Sequence, residues 1–407
     1  MSWDPPTDGA TSAPGSRPSI AVLPFANLSE EAGQEFFADG MVEEIATALT
    51  KFRALFVVAG GSGLSLKGQG LTAEEAGRLL GVRYLLDGAV RRTVGRVSIS
   101  VNLIDARGGA ELWADRFEGS AADLFSLLDD VALSAASVIE PQLHAEAAPR
   151  GPARPAADPD AYDLFLRARA LASGFTREAS EQALPLYERC LELDARNARA
   201  LIGCAAALTV VVVYGCADED RLRALAHERL QAALGLAPDD AEVLAIAAHV
   251  VSDLGGDIFT ARALADAAIS VNPGHAHGWR VSGSLRATHD PVEPDIAAER
   301  LEHALRLDPL SPRLALTLTG LGVARLGQRR LEDAILLFRQ SAQLLPRYAA
   351  NYLWLATLYS QLRQFAEASE AAASFRATSG VTVQAFAGRV GAGDWMKSRL
   401  ARIGSDD

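Results

Sequence analysis

The chain has 407 residues, 49% hydrophobic and 22% charged, the balance of an ordinary globular protein with length enough for two domains. A net charge of −12 without any local basic cluster argues against direct nucleic-acid binding. The three cysteines, Cys190, Cys204 and Cys216, make no disulfide framework and read as small hydrophobes among apolar neighbours.

Residues 1–17 are rich in Pro, Gly and Ser and lack the basic start and apolar core of a signal peptide. They are expected to form a disordered tail, which points to a cytoplasmic location. An α+β domain is predicted over 18–143. Ser19 to Phe25 is a short apolar strand. Glu31 to Phe52 has helical period, with Phe37, Met41, Ile45 and Leu49 on one face. Leu55 to Ala59 is a second strand. Thr72 starts a short helix with Glu75 as its reciprocal cap, and Gly81 stops it. Tyr84 to Arg92 and Arg96 to Asp105 flank the turn Val94-Gly95; Val97, Ile99, Val101 and Leu103 alternate with polar residues. Glu111 to Phe117 is a last strand, with Trp113 and Phe117 toward the core, and a helix from Ala121 to about His144 closes the domain. The order βαβαβββα implies helices on one face of a mixed sheet.

A Pro-rich linker is expected over 144–159, and a repeat follows over 160–378. Ala226, Leu230, Ala233 and Pro238 recur as Ala261, Ala265, Ala268 and Pro273, then Ala297, Leu301, Ala304 and Pro309, then Ala334, Phe338, Ser341 and Pro346. The prolines fall 35, 36 and 37 residues apart. An earlier, degenerate unit reads Ala183, Tyr187, Cys190 and Ala195, and a last one Tyr352, Leu355, Ala356 and Tyr359 with Ala368 and Ala372. Residues three and four apart share a helix face, so the small ones allow two helices to approach closely, and each Pro ends a helix. The period is that of tetratricopeptide repeats, right-handed α-solenoids of helical hairpins, here about six. Trp279 and Gly283 take the large and small positions of one first helix. The uncharged run Ala200 to Ala217 falls where such a helix belongs, so it is read as buried, not as a membrane span. Residues 379–407 are expected to form a helical cap and tail.

The segments IAVLPFANLS, EFFADGMVEEIATALTKF, GVRYLLDGAVRR and LIDARGGAELWADRFEG resemble the amino-terminal-like domain of TolB. The resemblance covers 18–143, and the combination with tetratricopeptide repeats covers nearly the whole chain. It implies a bacterial regulatory module of the kind joined to class III adenylate cyclase domains or to the DNA-binding domains of CadC-like regulators; no effector domain is read here. The chain departs from its relatives at Val58 to Gly63, where they carry an Arg-Asn-Ser stretch.

No catalytic constellation is read, and no metal or cofactor site. The Gly60–Gly63 segment GGSG matches no phosphate-binding fingerprint and no helix is predicted directly after it, so a glycine-rich turn is expected. His275 and His277 lack a third ligand and read as a solvated repeat boundary. Glu43-Glu44 and Asp129-Asp130 read as solvated faces, and Asp39-Gly40 as a kink or surface of the first helix.

Positions 2, 5, 9 and 12 of each first helix should line the concave groove. In the third unit these are Glu242, Ala245, His249 and Ser252; in the fourth His277, Arg280, Ser284 and Ala287; in the sixth Ala350, Leu353, Thr357 and Ser360. They lack the Lys and Asn pattern that clamps a terminal carboxylate, although Arg280 could pair with an anion. The expected function is a non-enzymatic scaffold for a protein or peptide partner in bacterial signalling or transcriptional control; a homo-oligomer is compatible with it. The rival readings are a TolB-like envelope-assembly factor and a regulatory module of a separate cyclase or DNA-binding protein.

Overall fold

A computed structural model describes residues 17–29, 35–139, 159–173, 176–216, 218–289 and 292–379. The expected tail, most of the linker and the C-terminal cap lie outside them. The chain divides into two compact units. The first comprises Met1–Leu201, Asn272–His275 and Arg306–Pro312, and the second Ile202–Val271, Ala276–Leu305 and Arg313–Asp407.

The first unit holds β1 (Ser19–Val22), β2 (Ala26–Asn27), α1 (Glu35–Leu49), β3 (Phe56–Val57), α2 (Gly60–Leu64), α3 (Ala73–Leu80), β4 (Tyr84–Thr93), β5 (Arg96–Asp105), β6 (Ala110–Ser120), α4 (Leu124–Ile139), α5 (Pro159–Ala172) and α6 (Arg177–Leu193). The sheet order is β3-β1-β4-β5-β6, with β2 also on β4. β1 runs parallel to β3 and β4, while β4, β5 and β6 are antiparallel. The sheet is mixed, as expected, but the first strand stops at Val22 and not at Phe25, and a separate strand β2 follows; Pro24, which cannot donate to the ladder, lies between them. Val97, Ile99, Val101 and Leu103 of β5 are buried. Between Leu103 and Ile104 the register with β6 slips, leaving Leu112 as an extra, exposed residue. Trp113 and Phe117 are half-buried and meet edge to face at 6.2 Å. Thr72 and Glu75 cap α3 reciprocally, and Gly81 ends it with φ +67°.

The GGSG segment is not a turn but the short helix α2. Its glycines answer to close approach: a Cβ on Gly63 would lie 1.9 Å from the Val22 carbonyl oxygen. The Ser62 hydroxyl donates to Asp308 Oδ1 at 2.5 Å and accepts from the Leu310 amide at 2.9 Å, and the Ala59 amide donates to the Leu307 carbonyl at 2.8 Å. All of these residues belong to the first unit. Glu43 and Glu44 are not solvated as a pair. Glu44 is buried and meets Arg199 Nη1 at 2.5 Å, while Glu43 meets Arg169 at 2.8 Å. Gly40 marks the approach of α1 to α5, where an added Cβ would lie 2.8 Å from Leu166.

α7 (Ala198–Val213) crosses from the first unit into the second. The second unit continues with α8 (Glu219–Leu236), α9 (Ala241–Asp253), α10 (Ile258–Val271), α11 (Ala276–Thr288), α12 (Pro294–Leu307, its last two residues in the first unit), α13 (Leu314–Gly327), α14 (Leu331–Leu344), α15 (Ala349–Gln361) and α16 (Phe365–Ser379). Every small and large residue of the four-fold motif is buried: Ala226, Leu230 and Ala233; Ala261, Ala265 and Ala268; Ala297, Leu301 and Ala304; Ala334, Phe338 and Ser341. Ala183, Tyr187 and Cys190 of α6 are buried likewise. Helices α8, α10, α12 and α14 end at Leu236, Val271, Leu307 and Leu344, so Pro238, Pro273, Pro309 and Pro346 each stand two residues beyond a helix end. In α16 the buried residues are Ala371 and Phe375, not the expected Ala368 and Ala372, which are only partly covered. They lie 37 residues beyond Ala334 and Phe338, so the register continues and Ala368 is three residues out of it. The apolar run beginning at Ala200 is α7 and the turn after it. Among the described residues no helix is long and apolar enough to cross a membrane.

In α11, a Cβ on Gly283 would lie 2.6 Å from Leu301 Cγ and 3.0 Å from the Ala297 carbonyl oxygen. Gly283→Ala is therefore expected to cost about 1–3 kcal/mol by overpacking. Gly235, near the end of α8, has nothing within 4 Å of such a Cβ; Gly235→Ala should add about 0.5–1 kcal/mol. Urea midpoints moving in these opposite directions test the register; a neutral Gly283→Ala would contradict it.

Candidate functional site

The first helices α9, α11 and α13 are neighbours in the second unit, and equivalent residues on them stack. Glu242 lies in the first turn of α9, which Asp240 caps through the Glu242 and Val243 amides. His277 is the second residue of α11, and Arg313 immediately precedes α13. Glu242 Oε2 lies 3.3 Å from His277 Nδ1, and Arg313 Nη1 lies 3.0 Å from the same nitrogen. A guanidinium only donates and a carboxylate only accepts, so Nδ1 cannot bond both at once; with Arg313 donating to Nδ1 the imidazole is neutral, and Glu242 acts on it through charge. Burial first, and then Arg313, hold the His277 pKa well below its ordinary value, against the pull of Glu242. His277 is thus a mostly buried rung of a ladder, not the solvated boundary residue expected.

Arg280 lies one turn along α11 and is 8% exposed. Its Nε is buried without a hydrogen-bond partner. Burial and the charge of Arg313 push its pKa down to about 9, with Tyr348, Glu242 and Asp253 opposing, so the group stays charged at neutral pH. His249 of α9 is half-exposed, with Nδ1 3.4 Å from Asp253 Oδ2. Asp253 raises its pKa, but burial, Arg280 and Arg313 outweigh that and leave it lowered. Tyr348, just before α15, is pushed up to about 12 mainly by burial, so its hydroxyl keeps its proton.

The remaining expected groove residues are placed differently. Ser252 is buried, with its hydroxyl 3.2 Å from His289 Nε2. Thr357 is buried and donates to the Leu353 carbonyl of its own helix at 2.7 Å. Ala245, Ala287 and Leu353 are buried packing residues, while Ser284 and Ser360 are half-buried. The structure therefore brings Glu242, His249, His277 and Arg280 together and leaves Ser252 and Thr357 engaged elsewhere. Arg313 and Tyr348 were not among the expected residues. Arg313 was legible, because it follows His277 by 36 residues as His277 follows Glu242 by 35. Tyr348 precedes its helix and has no signal in the repeat register. Among the described residues no group of His, Cys, Asp or Glu could hold a metal ion.

No family model matches the chain. A protein of Rhizobium meliloti (strain 1021) named "Putative adenylate cyclase 3" is 35% identical over 238 residues, which are 58% of this chain and 40% of that protein. The chain thus spans less than half the length of that relative. Solved structures with partial overlap include the human IFIT1 dimer with PPP-AAAA, at 18% identity, TM-score 0.45, and coverage of 62% of this chain and 56% of that one. The thermophilic TPR protein TTC0263 of Thermus thermophilus is 18% identical with TM-score 0.38, covering 49% of this chain and 98% of its own. The type IV pilus biogenesis factor PilW is 18% identical with TM-score 0.42, covering 56% and 96%.

Because the folded-state pKa of His277 lies below the unfolded one, the unfolded chain binds more protons between the two values. Stability that His277 leaves intact above its unfolded pKa is lost as pH falls below that value. The melting temperature should therefore drop less between pH 7.5 and 5.5 in His277→Gln than in the parent chain. Equal slopes would show that His277 is not held neutral.

Proposed function

We propose that the chain is a non-catalytic recognition scaffold that holds a protein or peptide partner along the first-helix face of its repeats, in bacterial signalling or transcriptional control. The observation that carries this reading is the polar ladder Glu242–His277–Arg313 with Arg280 beside it. Other polar clusters of the array close on their own partners, as Arg286 does on Asp266, whereas Arg280 has no carboxylate at ion-pair distance among the described residues. Helical-repeat arrays present long continuous surfaces of this kind to other chains. The similarity to a protein named as an adenylate cyclase supports the signalling part. In that setting the chain would be a regulatory module acting with a separate cyclase or DNA-binding protein, in line with the TolB-like resemblance of 18–143. The boundaries 18–143 for the front domain and 160–378 for the array are proposed with it.

The test is affinity capture from the native host with the full chain. The full chain is required because Arg169 and Arg199 pair with Glu43 and Glu44 of α1, so a fragment starting in the linker would lose those partners. Changing His249, Arg280 and Ser284 together to Ala should weaken capture at least tenfold, equivalent to about 1.4 kcal/mol. Changing the exposed α8 and α14 residues Glu228 and Glu332 to Ala should leave it intact. Undiminished capture by the triple variant would move the recognition surface to the front domain.

A further inference from the structure

Three arginines of the second unit are buried to a similar degree: Arg262, Arg280 and Arg286, at 6%, 8% and 8% exposure. Two of them are compensated. Arg262 Nη1 meets Glu293 at 3.3 Å, and its Nη2 donates to the His289 carbonyl at 2.8 Å. Arg286 Nη2 meets Asp266 Oδ2 at 2.6 Å, and its Nε meets Glu293 at 3.2 Å. The buried Nε of all three lacks a hydrogen bond, but of the three only Arg280 has no carboxylate at ion-pair distance and no hydrogen bond through its other nitrogens among the described residues. Another cation, Arg313, approaches the same helix face: its Nη1 lies 3.0 Å from His277 Nδ1, one turn before Arg280 on α11. A buried guanidinium loses hydration that only hydrogen-bonded anionic partners restore, and a like charge nearby adds to the cost. Arg280 sits on the face where Glu242, His277 and Arg313 meet, one turn after His277 on α11.

We propose that Arg280 and Arg313 form a carboxylate-binding subsite that takes the acidic side chain of an Asp- or Glu-containing peptide segment. This deepens, and rests on, the recognition reading above. A carboxylate bridging two guanidinium groups accepts from both forks and restores the bonds that Arg280 lacks. A monoanion fits better than a phosphate dianion, because Glu242 and Asp253 also act on the site and would repel the second charge. The overall charge of −12 disfavours indiscriminate attraction of acidic peptides, so an effect confined to this site stands out.

The experiment measures the melting temperature of the full chain, the Arg280→Met variant and the Arg280→Lys variant. Each is tested alone and with a hexaglutamate peptide capped at both ends, the matching capped hexaglutamine peptide, or inorganic phosphate. Without ligand, Arg280→Met should melt about 2 °C or more above the parent, since an uncompensated buried charge has been removed. Hexaglutamate should raise the melting point of the parent, hexaglutamine should not, and the gain should vanish in Arg280→Met and shrink in Arg280→Lys. If Arg280→Met lowers the melting point of the free chain, Arg280 is a structural group and the subsite is refuted. If phosphate stabilises and hexaglutamate does not, the site binds anions but the side-chain carboxylate is the wrong ligand. Anion arms that are all negative, together with loss of capture in the triple variant, would overturn the subsite and keep the recognition reading. Positive anion arms with capture unaffected would do the reverse.

Discussion

Close contact between helices is the constraint on which the array depends. Side chains with no bulk beyond Cβ, or none at all, stand wherever two helices must nearly touch, and bulky ones fill the spaces between. Ala226, Ala261, Ala297 and Ala334 are fully buried one turn before Leu230, Ala265, Leu301 and Phe338, which are buried too. Gly283 faces Leu301, and Gly322 faces Phe338, whose ring would lie 2.7 Å from an added Cβ. Phe338 in turn stacks on Trp354 with centroids 6.1 Å apart, carrying the contact from one hairpin to the next. Each unit buries its apolar face only against its neighbours, which is why the motif must recur in register.

Where polar residues replace small apolar ones, their hydrogen bonds close on one another. Ser341 occupies the position of Ala304 and donates to the Ala315 carbonyl at 2.7 Å. Asn351 donates to Ser341 at 2.8 Å, and Thr319 donates to Asn351 Oδ1 at 2.6 Å. One unit earlier, Ser282 stands where Thr319 does and donates to Asp266 at 2.7 Å, beside Arg286. The hydroxyl and amide groups of these networks find partners within the protein, avoiding a desolvation cost of about 1–3 kcal/mol each. Arg280 and Arg286 stand on the same helix, are buried alike and each leave Nε without a hydrogen bond, but Arg286 has the Asp266 carboxylate and Arg280 has none at ion-pair distance among the described residues.

The parts of the fold set by local or periodic chemistry were legible in the sequence. The Thr72–Glu75 cap, the Gly81 stop and the β4–β5 turn depend on residues within a few positions of each other. The repeat register depends on spacing that recurs four times over. The error at Ala368 arose because an Ala-rich helix offers several small residues, and only continuation from Ala334 and Phe338 singles out Ala371 and Phe375. Glu242, His277 and Arg280 were placed on one face from repeat positions, whereas Ser252 and Thr357 turn inward to His289 and to the Leu353 carbonyl. A short hydroxyl side chain at a groove-edge position finds the nearest acceptor, and sequence spacing does not say which that is.

What was not legible depends on contacts between residues far apart in the chain. GGSG read as a turn because a glycine-rich stretch has low helix propensity. It is a helix because Gly63 must pass against the Val22 carbonyl and Ser62 must reach Asp308 and Leu310, some 246 residues away in the first case. Glu44 read as solvated because adjacent carboxylates on a helix ordinarily face water, yet its partner is Arg199, 155 residues on. These contacts bear on what the front domain is physically. Leu166 of α5 rests against Gly40, and Tyr162 lies edge-on to Phe37 at 6.5 Å and to Phe125 at 5.5 Å. The first helical hairpin therefore completes the hydrophobic cover of the mixed-sheet domain within one compact unit, and its helices are shared between repeat pattern and domain core. The expected bounds 18–143 take in the sheet and α1 to α4 but not the aromatic cluster that closes over them, since Tyr162 and Phe165 lie beyond residue 143.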